Sequence, residues 1–154
     1  MRSIQDWLNE YGESHQHDTN KTIHWICVPI IFFSIIGILF SIKLPFSVGG
    51  ISLNVAMLAI VIAVIYYITL SRTIWVGLLL FSSLCLFLCH LIEIAHTIQL
   101  WIFCLILFVL AWVGQFYGHQ VEGKRPSFFK DLQFLLIGPA WLMSFIYKRL
   151  GIGF

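Results

Sequence analysis

The chain has 154 residues and is 60% hydrophobic and 16% aromatic, with 10% charged residues, a formal net charge of +2 and a mean hydropathy of +0.93. Ordinary soluble domains carry about 45–50% apolar and about 25% charged residues, so a soluble globule and a disordered segment are both excluded. The weak, scattered positive charge excludes a nucleic-acid binder. What remains is an all-α, integral-membrane helical bundle, read as a single membrane domain over residues 1–154, in which six histidines need an explanation.

Residues 3–14 place Ile4, Trp7, Leu8 and Tyr11 at i, i+3, i+4 and i+7, the pattern of an amphipathic helix. Its apolar stripe is expected at the membrane interface or on the bundle. Residues 1–22 contain Asp6, Glu10, Glu13, Asp18 and Lys21 and no continuous apolar core, so no cleavable leader is expected there. Asp18, Thr19 and Asn20 are candidate N-caps for the helix that follows. A spanning helix needs about 20 apolar residues. Residues 23–42 qualify, with Pro29 near the start, as do 51–70, 74–95 and roughly 98–118, the last with Thr97 as its cap. The region 23–118 is thus read as four full spans. Lys43–Gly50, with Pro45, Gly49 and Gly50, reads as a turn, and Ser71–Thr73 as a tight connection. Residues 119–154 supply a polar loop and a last apolar stretch, 132–147, interrupted by Gly138 and Pro139. That stretch is short for a straight span. A re-entrant or interfacial hairpin suits it better than a fifth crossing.

With the N-terminus inside, Arg2, Lys21, Arg72, Lys124, Arg125 and Lys130 fall on the inner side and Lys43 on the outer. That bias predicts a cytoplasmic N-terminus. Cys27, Cys85, Cys89 and Cys104 all lie in apolar stretches without a CxxC pair and read as buried free thiols.

Short loops make neighbouring spans antiparallel. The start of the first span, with His24, and the end of the fourth, with His119, then reach the inner face together. His15 and His17 precede the first span on the same side. His15 and His24 would point apart on one straight helix, and a break near Asp18–Asn20 would fold them towards a common centre. Trp112, Gln115, His119 and Glu122 form a polar stripe on one face of the fourth span. Three convergent imidazoles with open positions or a carboxylate suit iron, zinc or manganese. The alternatives are interfacial histidines that bind headgroups and water, a b-type haem held by His24 and His119, and a non-catalytic scaffold. His90, Glu93 and His96 lie near the outer end of the third span, where a structural role competes with a proton or ion path.

The run His15-x4-Asn20-x3-His24-x4-Pro29 resembles the start of the small membrane dioxygenases that shorten 2-hydroxy fatty acids by one carbon. Gln115-Phe116-Tyr117-Gly118-His119, followed by Glu122 and Lys124-Arg125-Pro126, resembles the second signature of that family. The resemblance covers most of the chain. It implies iron(II) as cofactor and O2 as co-substrate, with His15, His24 and His119 as iron ligands and Asn20 and Glu122 as catalytic support. It also implies a lipid or fatty-acid substrate taken from among membrane lipids. Lys124 or Arg125 would pair with the substrate carboxylate or serve as topogenic charges. His17, His90 and His96 do not belong to the signature.

Overall fold

In the computed structural model, residues 2–95, 98–123 and 128–154 are described, with side chains for all of these except 128–133. The readings placed on His96, Thr97, Lys124, Arg125 and the Lys130 side chain fall outside the described residues.

Helix α1 (Ile4–Glu13) opens with a capping box: the Ser3 hydroxyl accepts from the Asp6 backbone N–H, and the Asp6 carboxylate accepts from the Ser3 N–H. Its buried residues are Ile4, Leu8 and Tyr11 of the expected stripe. They pack not on solvent-facing surface but against Phe134, Ile137 and Trp141 of helix α6 (Phe128–Arg149). Ser14 closes α1, and after a short break helix α2 (Asp18–Phe40) begins, capped by the ring of His17, whose Nδ1 accepts from the Thr19 N–H. The break therefore falls at Ser14–His17, just ahead of the Asp18–Asn20 position expected.

The segment between the first two spans is a β-hairpin rather than a plain turn. Strands β1 (Lys43–Val48) and β2 (Ile51–Asn54) pair antiparallel with Val48 opposite Ile51. The two connecting residues, Gly49 and Gly50, have φ of +58° and +80°. Two consecutive left-handed residues make the tight turn whose twist matches a hairpin, and glycine adopts them without a Cβ penalty. Helix α3 (Val55–Leu70) consequently starts four residues later than expected, capped by Asn54, whose side chain accepts from the Met57 N–H. Its 16 residues give about 24 Å at 1.5 Å per residue, less than a hydrocarbon core of about 30 Å. Helix α4 (Ile74–Ala95) coincides with the expected third span, and helix α5 (Leu100–Glu122) runs four residues beyond the end expected for the fourth. Three helices, α2, α4 and α5, are long and apolar enough to cross a membrane. Outward residues such as Ile62, Leu80, Leu84, Leu110 and Val113 are exposed. A bundle that presents an apolar skin of this kind suits lipid rather than water.

Helices α2 and α5 lie antiparallel and close. A Cβ on Gly37 of α2 would collide with Cys104 Sγ of α5, and a Cβ on Gly114 would fall 2.8 Å from Cys27 Sγ. A Cβ on Gly118 would run into Asn20 Oδ1. Gly114 and Gly118 are four apart, so one small-residue stripe on α5 admits α2 at backbone range.

Residues 128–149 form one continuous helix, which corrects the expected re-entrant hairpin. Pro139 sits inside α6 without ending it. Phe128 follows Glu122 by six positions, a reach of about 20 Å at most. At the other end, Tyr147 donates from its hydroxyl to the Thr73 carbonyl at 2.9 Å and accepts from the Gly77 N–H at 3.0 Å. Between them, the Tyr67 hydroxyl at the end of α3 donates to the Leu136 carbonyl. The end of α5, the end of α3 and the start of α4 all belong to one end of the bundle. Helix α6 therefore lies across that end, with α1 packed on it.

Candidate metal centre

The end of the bundle covered by α1 and α6 is where the histidines meet. His15 comes from the break between α1 and α2, His24 from the second turn of α2, and His119 from the last turn of α5. All three are buried, at 2%, 1% and 6% exposure. Their ring centroids lie 4.2 Å (His15–His24), 4.9 Å (His24–His119) and 5.2 Å (His15–His119) apart. One ring nitrogen from each falls within 4.8 Å of the other two.

Backbone carbonyls set the orientation of two of these rings. His15 Nδ1 lies 2.5 Å from the Tyr11 carbonyl and His24 Nδ1 lies 2.9 Å from the Asn20 carbonyl, each four residues earlier. A carbonyl only accepts, so both Nδ1 atoms carry the proton and both Nε2 atoms keep a free lone pair. His15 Nε2 and His119 Nδ1 are buried without a hydrogen-bond partner. An unpaired buried acceptor is costly in an apolar setting, and a bound cation is one of the few things that removes the cost. Burial also pushes the His15 imidazole down to about 4, which leaves it neutral and ligand-ready at ordinary pH. The donor set, the tautomers and the orphaned nitrogens together fit a divalent transition metal held by three imidazoles.

Asn20 and Glu122 hold the frame. The Glu122 carboxylate accepts from the Gln16 N–H at 2.9 Å, the His17 N–H at 2.9 Å and Asn20 Nδ2 at 3.1 Å. The same Asn20 amide donates to the Ser14 carbonyl at 3.0 Å. Glu122, at the end of α5, thereby holds the His15 loop just after His15, and Asn20 holds it just before, at Ser14, while the Asn20 carbonyl orients His24. Glu122 does not join the three converging nitrogens; its carboxylate clamps the loop that carries His15 instead.

The other polar residues separate. His17 is exposed and caps α2. Glu93 forms an ion pair with Lys43 at 2.7 Å. Exposed His90 lines a different cavity, shared with Glu93 and Lys43. The triad has its own cavity of about 30 Å³, walled by Tyr11, Val28, Phe32, Trp112, Gln115 and Phe134 among others. At 4.9 Å, His24 and His119 stand too close for a porphyrin plane between them.

Two aromatic residues that the sequence does not mark as site residues, Tyr11 and Trp141, border the triad. Tyr11 stacks on His15 with centroids 4.1 Å apart and planes 8° apart, and Trp141 flanks the same ring at 5.5 Å. A signal for Tyr11 was present: it stands four residues before His15, as Asn20 stands four before His24, and both carbonyls are used in the same way.

Comparison with known proteins identifies a family. The family described as 2-hydroxy-palmitic acid dioxygenase Mpo1-like matches residues 1–150. Over 152 residues, covering 96% of this chain and 82% of the relative, the sequence is 34% identical to the 2-hydroxy-palmitic acid dioxygenase MPO1 of Saccharomyces cerevisiae. No solved structure matches the chain. The chain belongs to the Mpo1-like family.

Proposed function

We propose that this protein is a membrane-embedded, iron(II)-dependent dioxygenase that shortens a 2-hydroxy fatty acid by one carbon at the expense of O2. The observation that carries the reading is the buried triad of His15, His24 and His119, with two orphaned ring nitrogens, in a chain that belongs to a family described by 2-hydroxy-palmitic acid dioxygenase activity. Iron(II) with open coordination positions would supply redox chemistry with O2 and a Lewis-acidic seat for the hydroxyl and carboxylate of the substrate.

The chain's own residues do the rest. The Tyr11 and Asn20 carbonyls hold His15 and His24 with Nε2 presented inward. Glu122 and Asn20 fix the loop that carries His15. Tyr11 and Trp141 cover the His15 ring and exclude water from it, which protects a reactive centre from side reactions. The C1–C2 bond of the substrate breaks, C1 leaves as carbon dioxide and O2 takes up the electrons, giving an acid one carbon shorter with water or the corresponding aldehyde with hydrogen peroxide. The acyl tail stays among apolar helices while the polar head reaches the triad near the membrane surface. The positive-inside bias puts that surface on the cytoplasmic side.

Two measurements test the reading together. Metal analysis of the wild type beside His15→Ala, His24→Ala and His119→Ala should show iron in the first and little in the others. Wild type loaded with iron(II) and given O2 and 2-hydroxy-palmitic acid should release a product one carbon shorter. Undiminished metal in all three variants would refute the site. Full metal loading without turnover across several chain lengths would refute the substrate.

A further inference from the structure

The triad cavity, at about 30 Å³, has room for about a water or two and none for a fatty-acyl chain. A second cavity of about 100 Å³ lies on the far side of the α2–α6 crossing, lined by Val28, Pro29, Phe81, Pro139, Leu142 and Ile146 among others, and is almost wholly apolar. Val28 lines both. Its methyl groups face Gly138, where an added Cβ would sit 3.3 Å from Val28 Cγ1. Phe32 of the triad cavity stacks on Phe81 of the second at 5.3 Å, so the wall between the two spaces is that ring pair together with the single shared side chain of Val28. The helices on either side of that wall each lack a rung. Pro29 in α2 and Pro139 in α6 have no N–H to give to the carbonyls four residues earlier, Trp25 and Leu135. A crossing with two missing helical hydrogen bonds and a glycine yields more readily than an intact one. At its outer rim Trp25 is 41% and Ile146 40% exposed, so the second cavity opens sideways onto the apolar skin of the bundle.

We infer that this groove between α2, α4 and α6 is the acyl-binding subsite, with Val28 the gate between it and the triad. The inference rests on the 2-hydroxy fatty acid reading above. The substrate enters laterally from the membrane, places its hydroxy-acid head at the triad, and leaves its distal methylenes in the groove. The groove's walls, rather than the triad, then set the preference for chain length.

The test uses the full-length protein in detergent micelles with two substrates, 2-hydroxy-palmitic acid and 2-hydroxyoctanoic acid, whose short tail ends near the gate. Ile146→Trp fills the groove from its exposed rim, where folding is least at risk, and Leu142→Phe fills it from within. Each methylene kept out of an apolar site costs about fourfold in binding. Displacing two should raise KM for the long substrate about fifteenfold, with kcat and the short substrate unchanged. Independently, 2-hydroxy-palmitic acid carrying a terminal diazirine should label peptides containing Trp25, Leu142 or Ile146 in wild type, and Ile146→Trp should abolish the label. An unchanged chain-length profile in both variants would overturn the inference. So would label mapping between α2 and α5, beside Ile31 and Phe108, or a diazirine phospholipid that labels the groove and is not displaced by 2-hydroxy-palmitic acid. A wild type inactive on both acids would instead refute the functional reading, and the labelling would still decide the groove.

Discussion

Glu122 offers the sharpest test of how the triad is held. Its carboxylate takes two backbone N–H groups at 2.9 Å, from Gln16 and His17, and the Asn20 amide at 3.1 Å. Hydrogen bonds to a charged partner contribute about 1.5–3 kcal/mol each when buried. Gln16 and His17 are exposed, so about 1 kcal/mol each is the appropriate scale, or about 3 kcal/mol for the clamp. Glu122→Gln keeps the shape, removes the charge and turns an NH2 towards at least one N–H. Losing about two-thirds of the clamp costs about 2 kcal/mol. The helices do not depend on it, so the cost falls on ordering the His15 loop. Metal binding must then order the loop itself, and at 1.4 kcal/mol per decade affinity falls about 30-fold, within the 10–100-fold common for residues behind metal ligands. Anaerobic competition against a chromophoric chelator, with circular dichroism as the control for fold, measures this. Wild-type affinity in Glu122→Gln would refute the clamp. A loss of helical signal would show that Glu122 supports the bundle rather than the loop.

Three further outcomes follow from the same geometry. Gly118→Ala places a methyl group against Asn20 Oδ1. It should destabilise the α2–α5 contact by about 1–3 kcal/mol and weaken metal binding through Asn20, read by thermal unfolding and the chelator titration. Gly50→Ala, at φ +80° in the hairpin, should cost about 1 kcal/mol and leave metal affinity unchanged, since the hairpin shares no contact with the triad. In the metal-free protein, burial holds His15 at about 4 against an ordinary value near 6.5. At this residue the unfolded chain therefore binds a proton in a range where the folded chain does not, so the His15 contribution lowers stability as pH drops from about 6.5 to about 4 and changes no further below that. The loss is about 3 kcal/mol, and denaturant titrations at several pH values should show it shrinking in His15→Ala.

The parts of this molecule that were legible in the sequence are those decided by local patterns. Helix α4 ends where its apolar run ends. The α1 stripe is buried as its spacing requires, although only the fold shows that α6 is what buries it. His15, His24 and His119 share a place because short connections make the helices antiparallel, and that argument needs no coordinates. The hairpin went unread because Ile51 and Leu53 continue the apolar run of α3. Yet Gly49-Gly50 between Val48 and Ile51 is a two-residue turn signal, and it outweighed hydropathy. Pro139 suggested a break, but α6 is held at both ends and along its middle by Tyr147, Tyr67 and α1, and a helix fixed by tertiary contacts tolerates one missing rung.

The role of Glu122 was illegible for a different reason. Its partners at Gln16, His17 and Asn20 lie more than a hundred positions away in sequence, and no local spacing encodes them. The orientation of the imidazoles is the opposite case. In both His15 and His24 the ring turns back to a carbonyl one helical turn earlier, which fixes the tautomer with no partner from elsewhere in the fold. A histidine just after a helix, or one turn into it, carries its own orienting group. His119 is the one member of the triad for which the described residues show no such bond, and its Nδ1 is left orphaned. Its ring is therefore the one whose setting should change most between the metal-free and metal-loaded protein, and its ring-nitrogen NMR signals should shift or sharpen most on titration with zinc(II). Equal responses from all three rings would mean that the carbonyl bonds at His15 and His24 do not preorganise them.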